Sequence, residues 1–104
     1  MTTREAEEAL KVANLIMLKV PEQIQVEDLD EIIGLKEGEF REYHEYAPKY
    51  GDRCWRARGR LATIIYRDLG NGWCRIVTVE SVERGAYEKI KNNIKRIEKR
   101  GWTE

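Results

Sequence analysis

The chain has 104 residues, of which 41% are hydrophobic and 37% are charged, a composition typical of one globular domain rather than of a disordered segment. It contains no run of about 18 apolar residues, so we predict no membrane-spanning helix. The net charge is zero, yet residues 1–48 carry five Lys and Arg against twelve Asp and Glu, and residues 49–104 carry fourteen against seven. A neutral sum therefore combines an acidic half with a basic half.

The cysteine and histidine content argues against a metal site. Two cysteines and one histidine are fewer than the four ligands that the usual structural zinc sites need. No nucleophile stands at a readable spacing from a base, and His44 is more typical of a surface residue than of a catalytic base. From these residues we predict no metal, no cofactor and no catalytic residue.

Acidic residues precede the first apolar run, and this is the wrong sign of charge for a secretory signal. We therefore predict a cytoplasmic protein. In that compartment Cys54 and Cys74 are expected to be reduced and partly buried, with one disulfide between them as the alternative. Glutamine occurs only at positions 23 and 25 while Ile, Glu, Lys and Arg abound, a bias that favours a thermophilic source.

The first predicted helix runs from residue 3 to residue 19. Thr2 and Glu5 match the capping box that begins many helices, and Pro21 ends this one. Its apolar residues recur at helical spacing, namely Ala6, Ala9, Leu10, Ala13, Met17 and Val20. This pattern predicts an amphipathic helix.

Two more helices are predicted in the acidic half. Residues 27–33 begin with acidic side chains, as a helix N-terminus prefers, and Gly34 closes this second helix. The third helix is predicted over residues 37–46, with Phe40 and Tyr43 facing inward, before a proline and a glycine interrupt the pattern.

The period of the apolar residues then changes from helical to alternating. Residues 60–68 and 73–80 are rich in β-branched and aromatic side chains and flank Asn71-Gly72, a strong hairpin signal. We predict two antiparallel strands with apolar residues on both faces, so both sides are expected to touch protein or a partner. With a two-residue loop, the facing pairs are Asp68 and Arg75, Tyr66 and Val77, and Ile64 and Val79.

The last predicted helix covers residues 82–100, with Ser81 as its N-cap and Gly101 at its end. Lysines and arginines lie beside one apolar stripe that consists of Val82, Ala86, Ile90, Ile94 and Ile97. Such a stripe either closes the core or forms the seam of a dimer. We predict a homodimer through this helix.

The order of these elements resembles the winged helix-turn-helix family. The match runs from Ile24 to Leu35, where an apolar second helix ends in Gly-Leu, and continues through residues 36–46. The resemblance covers roughly residues 6–80 of a single domain 1–104, with residues 81–101 as a basic amphipathic helix. It implies an α+β fold with three N-terminal helices, one β-hairpin as the wing and one long C-terminal helix. It also implies a DNA-binding regulator of transcription whose third helix lies in the major groove.

The predicted phosphate contacts lie mainly outside that third helix. It would present Lys36 and Arg41 among four glutamates, and carboxylates repel DNA. We predict nucleic acid, duplex DNA before RNA, as the partner, with no membrane involved; two solvated charged faces are the alternative. Beside Lys36 and Arg41, the residues expected to bind phosphate are Arg53, Arg56, Arg58, Arg60, Lys91 and Lys95.

A second resemblance concerns residues 53–90, which look like the sheet and following helix of the RelE-type ribonuclease toxins, the BrnT-like branch in particular. That resemblance implies RNA cleavage without a metal, with guanidinium groups stabilising charge on the phosphate. We favour a protein without enzymatic activity, and a small protein–protein interaction domain is a third alternative. The positions that match the toxins are Arg56, Arg60, Tyr66, Arg75, Arg84 and Tyr87.

Overall fold

The computed structural model describes residues 3–35, 41–47 and 51–104. Within these residues, helices lie at both ends of the chain and the longer strands lie between them. In chain order the elements are α1 (Thr3–Lys19), β1 (Ile24–Gln25), α2 (Val26–Ile33), β2 (Arg41–Ala47), β3 (Gly51–Arg58), β4 (Ala62–Gly70), β5 (Trp73–Val82) and α3 (Tyr87–Arg100).

The first two helices agree with the sequence pattern. Helix α1 has the predicted bounds, and α2 begins one residue earlier than predicted. Gly34 ends α2 with a positive φ of 72°, a conformation that glycine adopts without steric cost. The amide of Leu35 then donates to the carbonyl of Asp30 at 2.9 Å, which closes the last turn.

The predicted third helix is wrong. Residues 41–47 form strand β2, which pairs with β3 in antiparallel register, with Tyr43 opposite Trp55; residues 37–40 of that prediction lie outside the described part of the chain. The helical interpretation depended on few apolar positions, whereas two tyrosines and a histidine within seven residues favour an extended chain. Pairing with β3 also satisfies the hydrogen-bonding groups of both backbones, so this tertiary interaction, not the local helical pattern, decides the structure of the segment.

The winged-helix arrangement is therefore wrong, although the fold is α+β. Strands β2 to β5 form a consecutive antiparallel meander, and the two-residue β1 adds to the free side of β5. The order across the sheet is β1-β5-β4-β3-β2. The predicted hairpin is the β4–β5 pair, which is two strands of a larger sheet rather than an isolated wing.

The turn of that hairpin is the predicted one. Asn71 and Gly72 both have positive φ, 55° and 83°, as a type I′ turn requires. Gly70 lies opposite Trp73 and Ile64 opposite Val79, as a two-residue loop implies. Between these points the register shifts by one residue, because Leu69 and Val77 are extra residues on their strands. Asp68 therefore faces Cys74 and Tyr66 faces Ile76, in place of the predicted partners Arg75 and Val77.

The last helix starts later than predicted. Ser81 belongs to β5 rather than capping a helix, and α3 begins at Tyr87 after a turn at Gly85. The start of α3 is capped by Glu8 of α1, whose carboxylate accepts from the amides of Gly85 and Tyr87 at 3.1 Å each. These two backbone hydrogen bonds hold the pKa of Glu8 below its ordinary value.

The three helices pack on one face of the sheet and form a single core. The apolar stripe of α3 is part of it, since Ile90, Ile94 and Ile97 are at most 1% exposed. Burying each such side chain contributes roughly 1.5–3 kcal/mol. The chain's own core accounts for this stripe, so the stripe supplies no argument for a dimer. Around it lie Val12, Ile16, Leu29, Ile32, Ile33, Ile64 and Tyr66.

Helix α2 is held to the C-terminal segment by a buried carboxylate. Asp28 is 1% exposed and accepts hydrogen bonds from the Arg100 guanidinium at 2.9 Å and from the amide and hydroxyl of Thr103 at 2.8 and 2.9 Å. Glu31 pairs with Arg96 and Arg100, and its hydrogen bond raises the pKa of Arg100. Two cations of the basic C-terminal helix are thus bound within the molecule.

Cys54 and Cys74 are both buried and form no disulfide, which agrees with the expectation of reduced thiols. Cys74 belongs to the core cluster beneath the helices. None of the helices in the described part of the chain combines the length and apolarity needed to cross a bilayer.

Candidate nucleic-acid interface

The face of the sheet that turns away from the helices, here called the outer face, collects arginines from three adjacent strands. Trp55 and Ala57 of β3 pack against the core, so Arg56 and Arg58 project to the other side. In β4, Ile64 and Tyr66 belong to the core, so Thr63, Ile65 and Arg67 project outward. The alternation of the strands therefore places these arginines on the outer face, together with Ile65.

The antiparallel register places these residues on three levels, where a level is one row of facing residues across β3, β4 and β5. Arg58, Arg56, Arg67 and Arg75 then follow one another across the face, and we call them the arginine band. From ordinary strand geometry, the band spans about 16 Å between the Cα atoms of its two ends. The three levels are Cys54–Arg67–Arg75, Arg56–Ile65–Thr78 and Arg58–Thr63–Ser81.

One member of the band is held by an ion pair within the face. Both the Nε and the Nη2 atoms of Arg56 donate to Glu80, at 3.2 and 3.1 Å. Since β4 lies between the two strands, this pair passes over β4 at the level of Ile65, which is 1% exposed. The pair is 22% and 27% exposed, so it covers an apolar residue and positions the band.

Another member lies at the edge and is more accessible. Arg75 pairs with Glu22 at 3.0 Å, with the two side chains 46% and 77% exposed. Exposed pairs of this kind contribute only about 0–1 kcal/mol, so Glu22 is an exchangeable partner. Arg75 also lies directly opposite Arg67 on the neighbouring strand. Their side chains therefore start from adjacent positions on the same face of the sheet.

The predicted phosphate-binding residues are only partly brought together. Arg56 and Arg58 share the outer face, and Arg60 is exposed in the loop between β3 and β4. Lys91 and Lys95 belong to α3, in the layer on the opposite side of the sheet. Arg41 lies in β2 and Arg53 in β3, but their side chains are outside the described part, as is the whole of Lys36.

Arg67 and Arg75 are the members of the band that were not among the predicted phosphate-binding residues, although Arg75 was among the positions that match the ribonuclease toxins. The predicted register set Arg75 opposite Asp68, which suggested a neutral charge pair. The bulge at Leu69 moves Arg75 opposite Arg67 instead, and a one-residue bulge leaves little trace in composition. The alternation of side chains along a strand could have identified Arg67. Arg56 and Arg58 flank the core residue Ala57, and Arg67 follows the core residue Tyr66, so all three point to the outer face.

The positions shared with the ribonuclease toxins do not converge. Tyr66 is 3% exposed within the core, on the face opposite to Arg56 and Arg75. Tyr87 stands at the start of α3 beside Glu8, and Arg84 is exposed in the preceding turn. No described cavity joins these tyrosines to the arginine band, so the geometry needed for general acid–base cleavage of RNA is not assembled from these six residues.

Among the described residues, no three His, Cys, Asp or Glu side chains are grouped as a metal site. No protein-family model, curated protein or solved structure matches this chain. The arginine band is therefore the arrangement from which a function is argued.

Proposed function

We propose that the protein binds the phosphate backbone of nucleic acid through its outer face. The observation that supports this most directly is the arginine band, in which Arg67 and Arg75 lie directly opposite each other while Glu80 holds Arg56 in place. Guanidinium groups bind phosphate through paired, charge-assisted hydrogen bonds. Two such groups at facing positions on neighbouring strands can both donate to one phosphate.

The expected mode of binding is largely independent of base sequence. Trp55 and Tyr66, the aromatic residues of β3 and β4, point into the core, so they offer no platform on which a base can stack. A helix placed to read the major groove is also not part of this proposal, because residues 41–47 are a strand. Interactions with phosphate position a nucleic acid without reading its sequence.

The test is the affinity of the Arg58→Ala/Arg67→Ala double variant for duplex DNA and for single-stranded RNA across a range of salt. Both residues lie on the outer face, and Arg75 is left unchanged. Affinity is expected to fall for every sequence alike. The slope of log K against log salt should fall by about 0.9 for each duplex phosphate that the variant no longer neutralises. Fluorescence anisotropy with labelled oligonucleotides measures both quantities.

The matched control is Lys91→Ala/Lys95→Ala, which removes the same charge from the opposite side of the sheet. This control should keep the wild-type slope. Equal losses of affinity in the two double variants would mean that net charge, not the outer face, governs binding. Absence of measurable affinity for any nucleic acid at about 50 mM salt contradicts the proposal outright. Light scattering on the same samples tests the homodimer that the sequence suggested, for which the buried stripe of α3 supplies no argument.

A further inference from the structure

An open groove runs between α1 and the edge of β5. It has a volume of about 400 Å³, within the range of ligand-binding clefts. Its walls are mainly apolar, with Ile16 and Met17 of α1 and the following Val20 on one side and Ile76 and Val79 of β5 on the other. Met17 is 85% exposed, which is unusual for an apolar side chain beside a groove of the same character.

The floor of the groove offers backbone hydrogen bonds. Strand β1 pairs with β5 only at Trp73 and Cys74. From residue 75 to residue 82, no strand of the described chain lies on that side of β5. Amide and carbonyl groups on such an edge are able to pair with an added extended chain.

The charged end of the groove is formed by Arg75 and Glu22, at 3.0 Å from each other. Glu22 is 77% exposed, so another carboxylate can replace it on the guanidinium at little cost. Arg75 is therefore placed to receive an anion that lies at one end of the apolar groove.

The irregular edge of β5 restricts the length of an added chain. Val77 and Glu80 are extra residues relative to β4, so the strand carries two bulges within a short distance. Bulges at an edge prevent long regular pairing, such as the joining of two copies of this sheet edge to edge. A segment of about three or four residues along residues 75–79 would span one of the two bulges at most, and it matches the size of the groove.

We propose that this groove binds the C-terminal end of an apolar peptide. The peptide lies extended and antiparallel to β5, its side chains contact the apolar walls, and its terminal carboxylate takes the place of Glu22 on Arg75. A peptide contacts the apolar walls, the backbone edge of β5 and Arg75, whereas a fatty acid would leave the backbone edge unused. This site is separate from the proposed nucleic-acid function and shares only Arg75 with the arginine band.

The test uses a fluorescein-labelled octapeptide, Ser-Gly-Ser-Gly-Val-Thr-Ile-Val, with a free C-terminus, and the same peptide with an amidated C-terminus. The free form is expected to bind about tenfold more tightly, because the amide cannot form the charge-assisted pair with Arg75. In Arg75→Ala the two forms should bind equally. Amide hydrogen exchange at residues 75–79 should slow only when the peptide is bound. Decanoate, tested in competition, should displace the peptide weakly.

Two exposed neighbours on α1 provide the matched pair of variants. Met17→Asp alters the groove wall and should weaken the peptide about fivefold or more, whereas Leu18→Asp changes a side chain of similar exposure, 80%, that does not line the groove. Both variants should bind nucleic acid with wild-type affinity. The Arg67→Ala variant should bind the peptide with wild-type affinity. Equal binding of the free and amidated peptides to wild-type protein, decanoate binding without protection of β5, or no saturable binding below about 1 mM would overturn the proposal.

Discussion

Ion pairs on this molecule differ mainly in how much water reaches them. Asp28 is 1% exposed where it meets Arg100, the Arg56–Glu80 pair is about a quarter exposed, and the Arg75–Glu22 pair is largely open to solvent. Breaking the first leaves a buried charge without a partner, which is strongly destabilising, whereas the last can exchange partners freely. Binding of an external anion is therefore expected at Arg75 before Arg56.

Glu8 provides a residue-scale prediction about pH. Its pKa is lowered by hydrogen bonds from the backbone amides of Tyr87 and Gly85, which reach the Glu8 carboxylate only in the folded chain. The contribution of Glu8 to stability is therefore complete above the unfolded-state pKa of about 4.3. That contribution is lost as the pH falls through the lower folded-state pKa. Glu8→Gln keeps one acceptor oxygen and should lower the unfolding midpoint by a few degrees at pH 7, with the difference shrinking below pH about 4.

Thermal unfolding followed by circular dichroism at several pH values measures this effect. Glu7→Gln is the control, since it removes the same charge from an exposed neighbour on α1. A difference between Glu8→Gln and wild type that stays constant from pH 7 to pH 3 would count against the capping role.

At the scale of elements, the loop between β3 and β4 fits closely against the end of α2. The amide of Leu61 donates to the carbonyl of Ile33 at 3.0 Å, and that of Arg60 donates to Gly34 at 3.4 Å. A Cβ atom on Gly59 would overlap the carbonyl of Ile33, so only glycine permits this approach. The loop thus sets where β3 and β4, and with them the arginine band, lie relative to the helix layer.

Gly59→Ala is accordingly expected to destabilise the fold by about 2–3 kcal/mol, because backbone atoms of α2 and the loop must move apart. Gly85→Ala is the matched control, since its φ of 77° costs about 1 kcal/mol but its Cβ meets no atom within 4 Å. Urea unfolding gives both values. Similar losses of stability in the two variants would show that close packing at Gly59 is unimportant.

The elements also show what local sequence can and cannot reveal. Helices α1 and α2 were predictable because Pro21 and Gly34, which follow their last turns, agree with their apolar periods, whereas Thr2 of the predicted capping box lies outside the described residues. The turn at Asn71-Gly72 was predictable because its positive φ values demand those residues. Strand β2 was not, because pairing with β3 decides it, and neither were the bulges, which depend on how two strands fit across the sheet. The candidate site shows the same division, since Arg56 and Arg58 were predicted to bind phosphate, whereas Arg67 was not predicted and Arg75 was named only through the resemblance to the ribonuclease toxins.

Across the whole molecule, the acidic and basic halves of the chain are not two separate faces. Acidic residues of α2 take up Arg96 and Arg100 of α3, and Glu8 of α1 caps the start of the same helix. Part of the basic excess is therefore neutralised inside the helix layer. The outer face carries the arginine band, so the net charge of zero does not describe the individual surfaces that a partner would meet.

The packing of α3 in the helix layer predicts how a core substitution in this helix changes stability. Ile94 is 1% exposed in the core, so Ile94→Ala should cost about 2–5 kcal/mol. The urea midpoint should not depend on protein concentration, since the stripe is buried within one chain. If the Ile94→Ala variant were a fully stable monomer and the urea midpoint of the wild-type protein depended on its concentration, the predicted dimer through α3 would be supported instead.

The pair between the buried Asp28 and the half-exposed Arg100 joins residues that are 72 positions apart. During synthesis α2 is made long before its partner, and any fragment that stops short of residue 100 leaves Asp28 without a guanidinium. Burying that carboxylate alone costs several kcal/mol, so α2 has no stable place until the sheet and α3 have both been made. The N-terminal third of the chain, although it has the strongest local helix signals, should therefore not persist as an independent folding unit.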